Sequence, residues 1–142
     1  MHAPDSYDYA AIRVVPRVER GEFVNVGVIV SCEATAYLKA AVELDEVRLR
    51  ALDPDVDLQT LRRHLDAIQR ICAGGPGAGP IGLLPQRARF HWLTARRSAI
   101  IQTSPVHMGR CGDMDAIVEH LMATMVRIRR NEASAGAQLP PD

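Results

Sequence analysis

The sequence predicts an α+β fold: an antiparallel sheet of four or five strands, opening with a three-strand meander, with two main helices packed on one face. Two observations carry this. Three apolar runs alternating with period two follow one another over residues 7–18, 20–30 and 36–44, joined by short links. Two stripes at helical spacing come later: Leu58, Leu61, Leu65, Ile68 and Cys72, then Met114, Ile117, Val118, Leu121, Met122, Met125 and Val126.

The first strand carries Ile12, Val14 and Val18 on one side and Tyr9, Arg13, Val15 and Arg17 on the other. Pro16 cannot donate to a ladder, so this end is an edge or a bulge. Glu19-Arg20-Gly21 makes the turn, with glycine free to take positive φ. In the second, central strand Val24, Val26, Val28 and Val30 alternate with Phe23, Asn25, Gly27 and Ile29, so the four valines are expected to share the core face. A glycine within a strand marks a bulge or a close approach, here by a helix backbone, an aromatic ring or a ligand. In the third run Leu38, Ala40, Val42 and Leu44 alternate with Tyr37, Lys39, Ala41 and Glu43, a strand with one buried face.

Residues 45–52 read as a short helix broken by Asp53-Pro54-Asp55. Asp57 caps the first long helix, and Gly74-Gly75 ends it. Residues 74–85, rich in Gly and Pro, lack the Gly-Lys-Ser/Thr ending of a phosphate loop and read as a surface connection. Residues 86–93 form one or two helical turns with Phe90 and Leu93 inward and Trp92 as a packing anchor. Residues 98–103 make a fourth strand, and Val106-His107-Met108-Gly109 continues it as loop or short strand. Asp113 caps the last helix, which runs to about residue 129, with Arg127, Arg129 and Arg130 complementing its dipole. Residues 1–6 are expected to be a flexible terminus, 7–130 one domain, and 131–142 a disordered tail.

Seventeen basic and seventeen acidic residues cancel, and only six residues are aromatic, which argues against nucleic acid as a partner. No apolar run approaches membrane-spanning length, and the acidic start is unlike a signal peptide. Cys32, Cys72 and Cys111 are odd in number and widely spaced, so buried free thiols in a reducing cytoplasm are expected, with neither a zinc site nor a disulfide framework. No metal or cofactor motif stands out. Asp53, Asp55 and Asp57 open like a calcium loop, but Leu58 stands where its glycine belongs and His64 where its glutamate belongs.

One constellation could bind a ligand. If the first two strands pair as a hairpin, Tyr9, Arg13 and Arg17 share a sheet face with Asn25 and Gly27, with Arg20 and Glu22 at the adjoining turn. Arginine forks beside an open glycine backbone suit a phosphate, a carboxylate or an acidic partner surface. A solvated face carrying Arg–Glu pairs is the competing reading. His107 is the histidine placed to join such a site as a base, although no second residue at local spacing orients it.

The runs Tyr9-Ala10-Ala11-Ile12-Arg13-Val14-Val15-Pro16-Arg17, Arg20-Gly21-Glu22-Phe23-Val24-Asn25-Val26-Gly27-Val28, Leu44-Asp45, Ala51-Leu52-Asp53-Pro54-Asp55, Phe90-His91-Trp92-Leu93-Thr94 and Gln102-Thr103-Ser104-Pro105-Val106-His107 resemble the bacterial family known as domain of unknown function 3037. The resemblance covers most of the chain and excludes the tail. It implies no established reaction or catalytic residues. It does imply a partner, because members of the family are often encoded beside a HipA-type protein kinase. Two functions therefore compete: a cytoplasmic accessory or binding protein acting with such a kinase, and an enzyme or sensor for a phosphorylated or nucleotide ligand at Arg13, Arg17, Asn25 and His107.

Overall fold

The computed structural model describes residues 6–96 and 99–128 of the 142-residue chain. Of the expected flexible terminus 1–6, residues 1–5 lie outside the described residues and Ser6 begins the first strand; the start of the fourth strand at Ser98 and the expected tail also lie outside them. Five antiparallel strands form one sheet: β1 Ser6–Val14, β2 Val24–Cys32, β3 Tyr37–Val42, β4 Ile101–Thr103 and β5 His107–Arg110. The first three make the expected meander. The order is β3-β2-β1, and the far side of β1 is shared by β4 at one end and β5 at the other. Ser104 joins these two short strands: its N–H donates to the Ala11 carbonyl at 2.9 Å and its hydroxyl accepts from the Ala11 N–H at 2.8 Å.

The helices are α1 Glu46–Leu52, α2 Leu58–Ala73, the single turn α3 Gly79–Gly82, α4 Gln86–Leu93 and α5 Met114–Leu121. Asp45, Asp57 and Asp113 each cap a helix by accepting a backbone N–H three residues on. Gly74 ends α2 at φ +80°, and Arg89 Nη1 donates to the Ile71 and Cys72 carbonyls left over at that end, at 2.9 and 2.7 Å. Beyond α5 the chain widens into a π-helical turn, Met122–Val126, and the helix stops there, short of residue 129. No helix among the described residues is long and apolar enough to cross a membrane.

The two main helices lie on opposite faces of the sheet, where one shared face was expected. The cause is in β2. Ile12 pairs with Gly27 and Arg13 with Asn25, so Val26 is an extra residue: a β-bulge. The bulge shifts the side-chain alternation. Val24 and Val26 pack with Ile12, Val14, Ile29 and the α2 residues Leu61 and Leu65, while Val28, Val30 and Cys32 pack with Met114, Val118 and Leu121 of α5. All four valines are buried, at 4 % exposure or less, but two face each way. Gly27 is required at the bulge, since a Cβ there would collide with the Ala41 carbonyl of β3 and press on Ile12 Cδ1 at 3.2 Å. The close approach expected at this glycine is therefore made by the neighbouring strand.

The cysteines also depart from expectation. Cys32 and Cys111 form a disulfide, Cα to Cα 6.7 Å, that ties the end of β2 to the start of α5; only Cys72 is a buried free thiol. Trp92 is 40 % exposed instead of anchoring the core. In α4 the buried side is formed by Phe90 and Leu93, and position 92 falls off it.

Candidate functional site

Side chains of β1 alternate between the two faces. Ile12 and Val14 turn to the α2 side, so Tyr7, Tyr9 and Arg13 turn to the α5 side. Arg13 has Asn25 opposite it on β2 and Gln102 opposite it on β4. These three polar residues form a row across the sheet at the end where the π-helical turn terminates. Asn25 Nδ2 donates to the Met125 carbonyl at 3.0 Å, and Arg48 Nη1 donates to the Val126 carbonyl at 3.1 Å. Both side chains thus satisfy carbonyls that a helix C-terminus leaves unpaired.

The Arg13 guanidinium lies 4.0 Å from the centre of the Phe23 ring, a cation–π contact, and Phe23 itself is 45 % exposed. Arg13 Nε and Asn25 Oδ1 are buried and make no hydrogen bond with the described residues. The site therefore sets a cation against an exposed ring, with two unused polar atoms buried beside them.

The rest of the expected constellation does not converge here. Gly27 turns toward Ile12, away from Asn25, and its backbone is covered by Ala41. Arg17, Arg20 and Glu22 lie in the connection between β1 and β2, because β1 ends at Val14. There Arg17 pairs with Glu19 at 3.0 Å and Arg20 with Glu22 at 2.7 Å, all largely exposed. The hydrogen bond that Arg20 donates holds the Glu22 carboxyl below its ordinary range, and the same bond to the Glu22 carboxylate raises Arg20. His107 sits at the other end of β1, opposite Tyr9, with ring centres 5.5 Å apart. Four residue steps along the strand separate Tyr9 from Arg13, roughly 13 Å at ~3.3 Å per step, so His107 does not reach Arg13.

Sequence reasoning missed Phe23, Gln102 and Arg48 as neighbours of Arg13 and Asn25. Phe23 was legible in principle, because an aromatic residue that precedes a buried strand beside a charged turn has little core left to enter. Gln102 and Arg48 depend on pairings far apart in the chain and leave no local signal.

The His107 end has its own character. Tyr7 and Tyr9 lie 5.7 Å apart beside the disulfide-linked cluster, and the Tyr7 ring lies over Gly109, where a Cβ would strike it. Burial raises the Tyr7 hydroxyl, with Tyr9 adding to the shift. Tyr37 is raised further, first by burial and then by donating to Asp115 at 2.8 Å. Tyr7 and Tyr37 stay protonated at neutral pH and serve as packing and hydrogen-bonding groups.

No curated protein and no solved structure matches the chain. The family described as protein of unknown function (DUF3037) matches residues 9–126, which contain β2 to β5, the helices of the described residues and all but the first three residues of β1. The bulged hairpin with Arg13 and Asn25, the Gly27 contact and the split edge at Ser104 all fall within that match, and the chain belongs to the DUF3037 family.

Proposed function

We propose that this chain is an accessory protein without catalytic activity, that it binds a partner protein through the Arg13–Phe23 platform, and that the partner is a HipA-type kinase. One observation carries the reading: a large apolar ring left 45 % exposed beneath a guanidinium held by the sheet. Arginine and aromatic side chains are the residues that most often dominate protein interfaces, because they combine contact area with directed charge. Val18, also 45 % exposed, extends the apolar surface along the same connection, and the Arg17–Glu19 and Arg20–Glu22 pairs form a polar rim. The kinase enters from the habit of family members to be encoded beside one.

The test is complex formation between the chain and the kinase encoded next to it. Co-elution at micromolar concentrations is expected, and Phe23→Ala or Arg13→Ala should weaken binding at least about tenfold, the effect of an interface anchor. Two independent peaks would remove the kinase. An unchanged affinity in both variants would remove the platform.

A second reading has its own observation. Arg13 Nε and Asn25 Oδ1, adjacent across the strands and buried without partners, offer one donor and one acceptor to a phosphorylated or nucleotide ligand. A ligand at a hundred times its dissociation constant should add roughly 2.7 kcal/mol of stability. The absence of a thermal shift with any nucleotide, or a shift unchanged by Arg13→Ala, would dismiss it.

A further inference from the structure

A trough of about 530 Å³ opens between α2, α4 and the start of β4, on the face of the sheet opposite Arg13. Its floor and walls are Ala67, Ile68, Ile71, Trp92, Ile100 and Ile101. Trp92 is 40 % and Ile100 42 % exposed, so this is apolar surface turned to solvent. A concave apolar site of this size with one or two charged groups at its rim has the build of a small-molecule pocket.

The rim decides the ligand class. Arg63 and His64 are its ionisable residues, and no carboxylate lines it among the described residues. The neighbouring arginines of α2 are already paired, Arg62 with Glu46 and Arg70 with Asp66. Arg63 makes no hydrogen bond or ion pair with any described residue. The acid that feels its charge is Asp57, whose two carboxylate oxygens are engaged by the Thr60 N–H and hydroxyl. A cation with no committed partner at the lip of an apolar trough complements an anion with an apolar body.

Two other cavities among the described residues are weaker. The cleft lined by Val42, Leu44 and Gln69 has its Arg62 and Asp66 already in ion pairs. The one lined by Thr94 and Arg96 is smaller, about 320 Å³, and the Thr94 and Ser104 hydroxyls there already donate to backbone carbonyls.

We propose that the trough binds a small amphipathic carboxylate, its apolar body laid against Trp92, Ile68 and Ile100 and its carboxylate bonded by Arg63. Acyl and aryl carboxylates share this chemistry. The site is separate from the Arg13–Phe23 platform, so either can fail without the other.

Trp92 is the chain's single tryptophan, so its emission reports the trough directly. The full chain is titrated with decanoate and with naphthalene-2-carboxylate, each against its uncharged alcohol. A saturable blue shift is expected with at least one carboxylate below about millimolar concentration, weaker with the alcohol. Arg63→Ala, an exposed substitution whose fold is checked by circular dichroism, should weaken the carboxylate about tenfold and leave the alcohol unchanged. Whichever carboxylate saturates identifies the acyl or the aryl class. No saturable shift up to several millimolar overturns the proposal, as does equal loss for carboxylate and alcohol in Arg63→Ala. A shift produced by the kinase and by neither carboxylate overturns it too, and assigns the trough to a protein.

Discussion

The two faces of the sheet solve the same problem with different means. On one face the sixteen-residue α2 lays Leu58, Leu61 and Leu65 over Ile12, Val14, Val26 and Ile29, with Phe90 and Leu93 of α4 beside them. That layer is apolar and continuous, and no covalent bond holds it. On the other face the eight-residue α5 and its π-helical turn have less surface to bury. They are fastened at both ends instead: the disulfide at the start, Asn25 and Arg48 on the last carbonyls, and the Tyr37–Asp115 hydrogen bond between. Burial scales with apolar area, so a short helix needs fastenings that a long one does without.

The comparison breaks most visibly on reduction. The disulfide spans 79 residues, and loop-closure entropy assigns such a link roughly 4 kcal/mol of stability. Dithiothreitol, or Cys111→Ser, should lower the unfolding midpoint accordingly, and hydrogen exchange should rise in α5 and β5 while α2 stays protected. Alkylation sharpens the contrast. After reduction the partly exposed Cys111 should label in the native state, whereas Cys72, its thiol pushed up to about 12 by burial, should not. Equal exchange on both faces would show that the fastening is redundant.

Leu61→Ala tests the other face. The side chain is 2 % exposed, and its truncation should cost about 3 kcal/mol, the common loss for a buried leucine. Because the faces share few partners, this loss and that of reduction should add to within about 0.5 kcal/mol in chemical denaturation. A large coupling between them would mean that the sheet transmits strain from one layer to the other.

A smaller effect belongs to the end of the π-helical turn. Asn25→Ala removes the donor to the Met125 carbonyl and should cost about 1 kcal/mol. Its structural mark is faster exchange at residues 122–126 with little change at residues 114–118. Uniform loss over both stretches would deny Asn25 its capping role.

Much of this architecture was legible in the chain, and the failures have physical causes. Alternation located the meander, and Asp57 and Asp113 located the starts of the two main helices, because both are local properties. The valines of β2 alternate perfectly in sequence, yet the bulge at Val26 divides them between faces. Gly27 was the sign, since a glycine in such a run admits a bulge, but only the register with Ile12 and Arg13 shows which way the chain turns. The Cys32–Cys111 bond joins residues whose proximity is created by the tertiary fold. Trp92 was misjudged because α4 is too short for a reliable apolar stripe. In the expected site, Arg13 and Asn25 met because a hairpin fixes that pair. Arg17 and Arg20 left it when β1 stopped before Pro16, and His107 left it because β5 pairs with the far end of β1.

The smallest effect compares the two faces through acid. Asp57 caps α2 and is held below its ordinary range by the Thr60 hydroxyl, then the Thr60 N–H. Glu119, on α5, is held low by its hydrogen bonds from Arg127. A carboxyl whose folded pKa lies below its unfolded one stabilises fully above the unfolded value and loses that contribution as pH falls through the folded one. Both contributions should therefore be present at pH 7 and fade below about pH 4, near the unperturbed carboxylate values. Asp57→Asn should keep the cap, since asparagine caps helices as well as aspartate does, while flattening part of the acid limb of the melting curve. Glu119→Gln should flatten another part and lower the midpoint slightly at neutral pH. Salt separates them further: the Glu119–Arg127 pair is exposed and screened at high ionic strength, whereas the Asp57 bonds run to an uncharged hydroxyl and amide. If half-molar salt abolished both differences equally, the capping aspartate would be acting as a bare surface charge, and the contrast between a carboxylate held by bonds to neutral groups and one held by an ion pair would fail at this end.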